Sequence, residues 1–280
     1  MAADVFGLQK YNMEKVSVII PTWNSASTLI ATIKSCLNQT TPPFEILVCD
    51  DGSTDNSEGA VRVIGDSRVI WAPGEHSGTP AIPRNRGIAM AKGEWIAFCD
   101  SDDEWLPTKL EKQLVLANNL DYKASCTVAL VKIDGIITKE VVSSWKKNTF
   151  TFCNALHSND IVGSSVLMHS SIVKEIGEFT PIIENASFAD YMYWLRAMTK
   201  TNFAYVCEPL VIYDDHPKTS LRATSLSDEA LQKVVFADFT DWARNHLGNQ
   251  APAFILKIGK YKARESVRKI VSKIWHVWKK

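Results

Sequence analysis

The chain has 280 residues, of which 46% are hydrophobic and 22% charged, the composition of an ordinary globular protein with one large domain or slightly more. Lys and Arg number 31 and so do Asp and Glu, so the charge balance gives no case for a nucleic-acid partner. No apolar run reaches the roughly 18 residues that span a bilayer, and residues 1–14 read as an N-terminal extension without the basic start and apolar core of a signal peptide.

Residues 16–20 are a continuous apolar run ending at Pro21, the pattern of a buried strand, and the helical spacing of Leu29, Ile33, Cys36 and Leu37 predicts a helix over 26–38 with Ser25 or Ser27 at its start. A second strand over 44–49 leads into Asp50-Asp51-Gly52-Ser53, a helix over 56–64 follows, and a third strand is expected at 68–71. After a Gly- and Pro-rich loop at 73–80, residues 81–92 return as helix and 95–99 as a fourth strand. Strand and helix units of this length predict an α/β fold with a parallel, doubly wound sheet.

The fourth strand runs directly into Asp100-Ser101-Asp102-Asp103. Ligands of open α/β sheets sit just beyond the carboxyl ends of strands, so this is where chemistry is expected. Two carboxylates about 5 Å apart repel by roughly 3 kcal/mol at an effective dielectric near 20, and a hard divalent cation relieves that repulsion. Oxygen-only ligands suit Mg²⁺ or Mn²⁺, which take one or two carboxylates from the protein and the rest from water and phosphates. Asp103 is open between a ligand and a residue that starts the helix after Pro107. Two other strand ends are polar on the same side of the sheet, Pro21-Thr22-Trp23-Asn24 and Asp50-Asp51-Gly52-Ser53; each alone is also turn chemistry. A carboxylate such as Asp51 can accept a uracil imide N–H, and Trp23 offers a flat face to a base or sugar.

The segments 16–24, 45–57, 83–88 with 93–98, and 100–103 together resemble the family 2 glycosyltransferases of the GT-A fold, in the same order and spacing over residues 16 to about 120. The resemblance implies a Rossmann-like, mostly parallel sheet with helices on both faces, an acceptor-side half and C-terminal helices. It also implies inverting transfer of a sugar from a nucleotide-sugar, usually a UDP-sugar, with Mn²⁺ or Mg²⁺. By position it makes Pro21, Thr22, Trp23 and Asp51 nucleotide-side residues with Asp50 beside them. Asp100 would face ribose or metal, Asp102 would ligate the metal, and Asp103 is a further candidate ligand. Arg84 matches a basic position near the nucleotide; its alternative is a surface ion pair. The organisation implied is a nucleotide-sugar half over 15–120, an acceptor and catalytic half over 121–225, and C-terminal helices over 226–280.

Beyond residue 120 the pattern weakens. Residues 124–132 and 138–142 suggest an antiparallel ribbon turning at Asp134-Gly135, 144–159 is irregular, 161–168 reads as a strand and 170–176 as a helix. A helix over 188–198 carries Asp190 in its first turn, where a carboxylate is favoured by the dipole. In the family this position follows a Glu and serves as general base; here the Glu position is Ala189. A strand over 205–213 precedes His216, which resembles a family histidine that closes over the diphosphate, and a helix is expected over 226–247.

Residues 253–280 carry nine Lys or Arg against Glu265, with Val267, Ile270, Val271, Ile274, Trp275 and Trp278 as an apolar stripe. This helix fits either adsorption to an anionic membrane surface or packing on the domain. Membrane contact would suit a glycan or lipid-linked oligosaccharide acceptor. The six cysteines show neither a Cys-x-x-Cys pair nor metal-ligand spacing and read as reduced thiols, so a cytoplasmic chain, peripheral on the inner face of the plasma membrane, is expected. A nucleotidyltransferase would carry a glycine-rich phosphate loop after the first strand, which is missing, and a catalytically silent nucleotide-sugar-binding module has only Ala189 in its favour.

Overall fold

The computed structural model describes residues 14–143, 145–181, 188–215 and 228–278, with side chains described as far as residue 268. The apolar run before Pro21 forms β1 (Val16–Thr22), buried along its whole length, and α1 (Leu29–Leu37) follows. α1 starts later than expected, after Thr28 rather than Ser25 or Ser27. The Ser25 hydroxyl is already engaged with the Trp23 carbonyl and the Ser101 hydroxyl, so it does not cap the helix. β2 (Glu45–Asp50), α2 (Ser57–Ile64), β3 (Val69–Ala72), α3 (Ala81–Met90) and β4 (Trp95–Phe98) complete the alternating half.

The second half opens with β5 (Glu104–Trp105) and α4 (Lys109–Asn119), then the ribbon β6 (Ala124–Ile133) and β7 (Ile136–Val141). Asp134 and Gly135 both have positive φ, the conformation that two-residue hairpin turns require. The segment expected to be irregular contains β8 (Thr149–Phe150) and α5 (Phe152–Ala155), whose Thr151 and Asn154 form a reciprocal cap. The strand expected over 161–168 is shorter: residues Gly163–Ser165 form a 3-10 turn, and only β9 (Leu167–His169) joins the sheet. α6 (Ser170–Ile176), α7 (Ala189–Ala197), β10 (Phe203–Asp214), α8 (Asp228–His246) and α9 (Ala251–Trp278) finish the chain.

Strands from both sides of residue 120 build one sheet in the order β3-β2-β1-β4-β9-β6-β10-β5, with β7 beside β6 and β8 beside β10. β1 to β4 pair in parallel, as do the long strands β6 and β10, while β9 runs antiparallel between β4 and β6. Helices cover both faces. Val18, Ile20, Ile46 and Val48 pack on one side with Leu29, Ile33, Leu110 and Leu114; Ile19, Leu47, Ile96 and Phe98 pack on the other with α7 and α8. Burial on both faces is why these strands read as unbroken apolar runs. The chain places β2 and β3 on one side of β1 and β4 on the other, so the carboxyl ends of β1 and β4 part at a topological switch point.

Candidate active site

Past β2, the Asp50 carboxylate accepts the N–H groups of Gly52 and Ser53, both at 3.1 Å, and shapes the turn. The Asp51 carboxylate, only 4% exposed, accepts the Ser77 hydroxyl at 2.7 Å, the Ser77 N–H at 3.0 Å and the Gly78 N–H at 3.2 Å, with His76 Nδ1 3.1 Å away. Asp51 therefore ties the 73–80 loop across the end of β2, and its carboxylate is enclosed by that loop rather than open to a base. The close approach needs a glycine: Gly52 has φ +77°, and a Cβ there would lie 2.7 Å from the His76 nitrogen. Trp23, 53% exposed, stacks on His76 with ring centroids 4.7 Å apart and planes 22° apart. Pro21 and Thr22 are buried, and the Thr22 hydroxyl turns back to the Ile20 carbonyl.

The turn after β4 is anchored through its backbone. Thr28 and Thr32 of the α1 region donate to the Ser101 carbonyl at 2.8 and 3.0 Å. The Ser164 hydroxyl accepts the Asp100 N–H at 2.8 Å and donates to Asp103 Oδ2 at 2.5 Å, while Asp103 Oδ1 accepts the Asp214 N–H at 2.9 Å. Asp103 is wholly buried with both oxygens occupied. Burial, followed by repulsion from Asp102 and Asp100, pushes its carboxyl well above the usual range. It is a bracing residue between three elements, and neither of the roles expected for it, ligand or helix start, fits this environment.

Asp100 is half-buried and Asp102 exposed, both just beyond the carboxyl end of β4. Asp100 Oδ1 pairs with Arg84 Nη2 at 2.5 Å, and the Arg84 side chain is buried beside the Phe179 ring. Asp102 is exposed as a residue, and desolvation of its carboxylate by the surrounding chain, then repulsion from Asp100 and Asp214, pushes it up to about 6, against the pull of Lys132. Lys132 bonds Asp214 at 3.0 Å and Glu104 at 3.3 Å; burial draws its ammonium down, and these two partners outweigh burial. Negative charge thus exceeds what local cations neutralise, and these two carboxylates, Asp100 and Asp102, are hard oxygen donors. A divalent ion of the Mg²⁺ or Mn²⁺ type fits Asp100 and Asp102. Among the described residues no three His, Cys, Asp or Glu side chains form a ready metal cage, and an ion sharing its shell with substrate phosphates needs none.

α7 brings in Asp190. Its Oδ1 accepts the Tyr191 N–H at 2.6 Å, fixing the carboxylate at the helix start. The helix is locked by burial of Tyr191, Met192, Tyr193 and Trp194, by the stack of Tyr193 on Phe179, and by Arg196 bonded to Asp238 at 2.9 Å. A Cβ built on Gly163 would lie 3.8 Å from Arg84 Nη2, 3.8 Å from Asp100 Oδ2 and 4.0 Å from Asp190 Oδ2. The carboxylate of α7 and the Arg84–Asp100 pair therefore surround one backbone position.

Residues 17–177 match the family model described as Glycosyl transferase family 2, which is more than half of the chain. The chain belongs to glycosyl transferase family 2. Two relatives from Escherichia coli carry the similarity over most of their length. The UDP-Glc:alpha-D-GlcNAc-diphosphoundecaprenol beta-1,3-glucosyltransferase WfaP is 34% identical over 67% of this chain and 72% of its own. WfgD, a glucosyltransferase of the same description, is 32% identical over 81% of this chain and 87% of its own. Among solved structures, S. aureus TarS 1–349 with UDP-GlcNAc superposes with a TM-score of 0.71 at 18% identity, covering 88% of this chain and 71% of that one. At that identity the likeness shows the shared GT-A fold.

In this glycosyltransferase the residues expected from the sequence fall into two groups. Arg84, Asp100 and Asp190 meet at Gly163 with Asp102 close enough to Asp100 to feel its charge, while Trp23 stacks on His76 beside the Asp50–Asp51 turn. His216 lies outside the described residues. The sequence reading missed Ser77, His76, Lys132 and the Gly163–Ser165 turn. Gly163 and Ser164 fell inside a run read as strand, and their partners lie far along the chain: the Trp105 indole N–H on the Ser164 carbonyl and the Gln113 amide on the Ser165 carbonyl.

Proposed function

We propose that the protein is an inverting, divalent-metal-dependent glycosyltransferase that moves a hexose from a UDP-sugar to a hydroxyl of a lipid-linked sugar diphosphate in surface polysaccharide biosynthesis. The observation that carries this reading is the convergence of Asp190, Asp100 and Arg84 on Gly163. Inversion in one displacement needs a base on the face of the sugar opposite the departing diphosphate, and here the Asp190 carboxylate and the Asp100–Arg84 pair approach the same backbone position. The donor and acceptor classes follow the two E. coli relatives.

In the proposed reaction Asp190 Oδ2 takes the proton of the acceptor hydroxyl as that oxygen bonds to C1 of the sugar. The bond from C1 to the β-phosphate oxygen breaks, and its electron pair leaves with UDP. Trp23 and His76 offer a flat edge for the uracil, and Asp51 shapes that edge through the loop it holds. Arg84 keeps a fixed positive charge beside the diphosphate, and Ser164 holds the Asp100 backbone in register. A Mn²⁺ or Mg²⁺ ion held by Asp100 and Asp102 would supply neutralisation of the charge growing on the leaving group.

The acceptor class is membrane-borne, and α9 supports attachment at an anionic leaflet, the inner face of the plasma membrane. Ala251, Ile258 and Tyr261 pack α9 on the domain, whereas Lys257, Lys260, Lys262, Arg264 and Arg268 are exposed together with Leu256 and Val267. No helix among the described residues is long and apolar enough to cross a membrane.

The test uses UDP-glucose, Mn²⁺ and a short-chain N-acetylglucosamine diphosphate lipid. Asp190→Asn is expected to lower transfer by about 10² to 10⁴ while leaving UDP affinity intact. Asp102→Ala is expected to lose both transfer and the metal-dependent part of UDP binding. Full turnover in Asp190→Asn refutes the base assignment.

A further inference from the structure

Most of the described glycines have a backbone or packing reason to be glycine; Gly163 has neither, and the same holds for the helical Gly259, whose missing Cβ would meet only open space. Gly52, Gly65, Gly78, Gly135, Gly177 and Gly248 have positive φ, where a side chain is strained. Gly87 and Gly93 have none of that strain but no room: a Cβ on Gly87 would lie 2.5 Å from the Ile19 side chain, and one on Gly93 2.6 Å from the Ser17 nitrogen. Gly163 meets neither condition. Its φ is not positive, and the nearest atoms to its missing Cβ, at 3.8 to 4.0 Å, are at ordinary contact distance. Backbone and packing both tolerate alanine there. What sets the position apart is the identity of those three neighbours, which are the charged ends of Arg84, Asp100 and Asp190.

The turn that presents Gly163 is also held more firmly than a surface loop. The Trp105 indole donates to the Ser164 carbonyl at 2.9 Å, the Gln113 amide to the Ser165 carbonyl at 2.8 Å, and the Ser165 hydroxyl to the Val162 carbonyl at 2.7 Å. Ser164 itself bridges the Asp100 backbone and Asp103. A rigid, side-chain-free patch lies between the group assigned to the diphosphate and the group assigned to the acceptor hydroxyl.

We infer that Gly163 is the floor of the donor-sugar subsite: the ring being transferred lies against its Cα, and the absent side chain sets how deeply a hexose can sit between Asp100 and Asp190. This rests on the roles given to Asp100, Arg84 and Asp190 under Proposed function. C1 of the donor must lie between the diphosphate-binding groups and the base, and Gly163, itself buried, is the backbone position that the ends of all three approach within 4.0 Å of its missing Cβ. A methyl added there lifts the ring by about the length of a C–C bond, roughly 1.5 Å. Misplacement of reacting atoms by about 1 Å can lower a rate about 10²-fold. The uracil end, near Trp23 and His76, is untouched.

The experiment compares Gly163→Ala and Gly163→Val with the parent full-length chain. It measures thermal melting, UDP affinity and UDP-glucose affinity with Mn²⁺ by calorimetry, and the transfer rate with its acceptor KM. Melting and UDP affinity are expected to stay close to the parent in both variants. Transfer by Gly163→Ala is expected to fall about 10²-fold, and Gly163→Val is expected to lose UDP-glucose affinity by about tenfold or more while still binding UDP. Parent-like turnover in Gly163→Val overturns the inference. A parallel loss of melting temperature and UDP affinity overturns it too, because that is the signature of a structural glycine. Unchanged UDP-glucose affinity with a raised acceptor KM assigns the patch to the acceptor and overturns the donor assignment. A parent chain that binds no UDP-sugar removes the underlying reading first, before either variant is consulted.

Discussion

At the scale of single residues, the site depends on buried side chains that brace it from behind. Ser164 is the clearest case. Its hydroxyl is wholly buried, accepts the Asp100 N–H and donates to the Asp103 carboxylate. Ser164→Ala leaves a buried N–H and a buried carboxyl oxygen without that partner, and such orphaned groups cost about 1 to 3 kcal/mol. The expected result is a lower urea midpoint at unchanged slope, with transfer falling as Asp100 loses its register. An unaltered midpoint would show that the bridge contributes nothing. Asp103 illustrates why residue roles were only partly readable beforehand. The acidic cluster announced a cleft, but one of its three carboxylates is turned inward to a serine 61 positions away, and nothing local in the sequence distinguishes it from its neighbours.

At the scale of elements, α4 carries an unusual load. Lys109 is fully buried, donates to Gln113 at 2.7 Å and sits 3.9 Å over the Trp105 ring, and burial brings its ammonium down to about 7. Its folded pKa lies below its unfolded value of 10.5, so between about pH 7 and pH 10.5 the unfolded chain binds more protons than the folded one. Stability from this group therefore rises with pH across that window, by up to about 1.4 kcal/mol per pH unit. Denaturation of the parent and of Lys109→Met at pH 7 and pH 9 should show the parent gaining on the variant as pH rises; parallel behaviour would place the charge elsewhere. The elements most readable in the sequence were β1, β2 and β4, because burial on both faces leaves unbroken apolar runs, and the β6–β7 hairpin, because Asp134-Gly135 supplies both positive φ values. The Gly163–Ser165 turn was hidden for the opposite reason. Its polar backbone groups are satisfied by Trp105 and Gln113 from other elements, so a run flanked by Ile161, Val162 and Val166 passed for a strand.

At the scale of the whole molecule, strands from both sides of residue 120 share one sheet, and strand order reverses between β1 and β4, where open α/β sheets bind ligands. The part of the site around Trp23 and Asp50–Asp51 was readable because its motifs are local; the part around Asp190 was not, because it is assembled from the Gly163 turn and α7, elements far apart in the chain. On the outside, the exposed basic side chains of α9 set up a testable difference between lipid surfaces. Cosedimentation with phosphatidylglycerol vesicles should exceed that with phosphatidylcholine vesicles. It should weaken in roughly 1 M salt, where the Debye length falls to about 3 Å. Equal binding to both lipids, or salt-insensitive binding, would remove the electrostatic basis of attachment.

The central claim is a single displacement at C1 in the gap between the Asp100–Arg84 pair and Asp190. The most direct measurement is the anomeric configuration of the product, read from the coupling of its anomeric proton by NMR after reaction with α-linked UDP-glucose. A β-linked product is expected; an α-linked product would contradict the claim, since no base facing the departing UDP across the ring could yield it in one step.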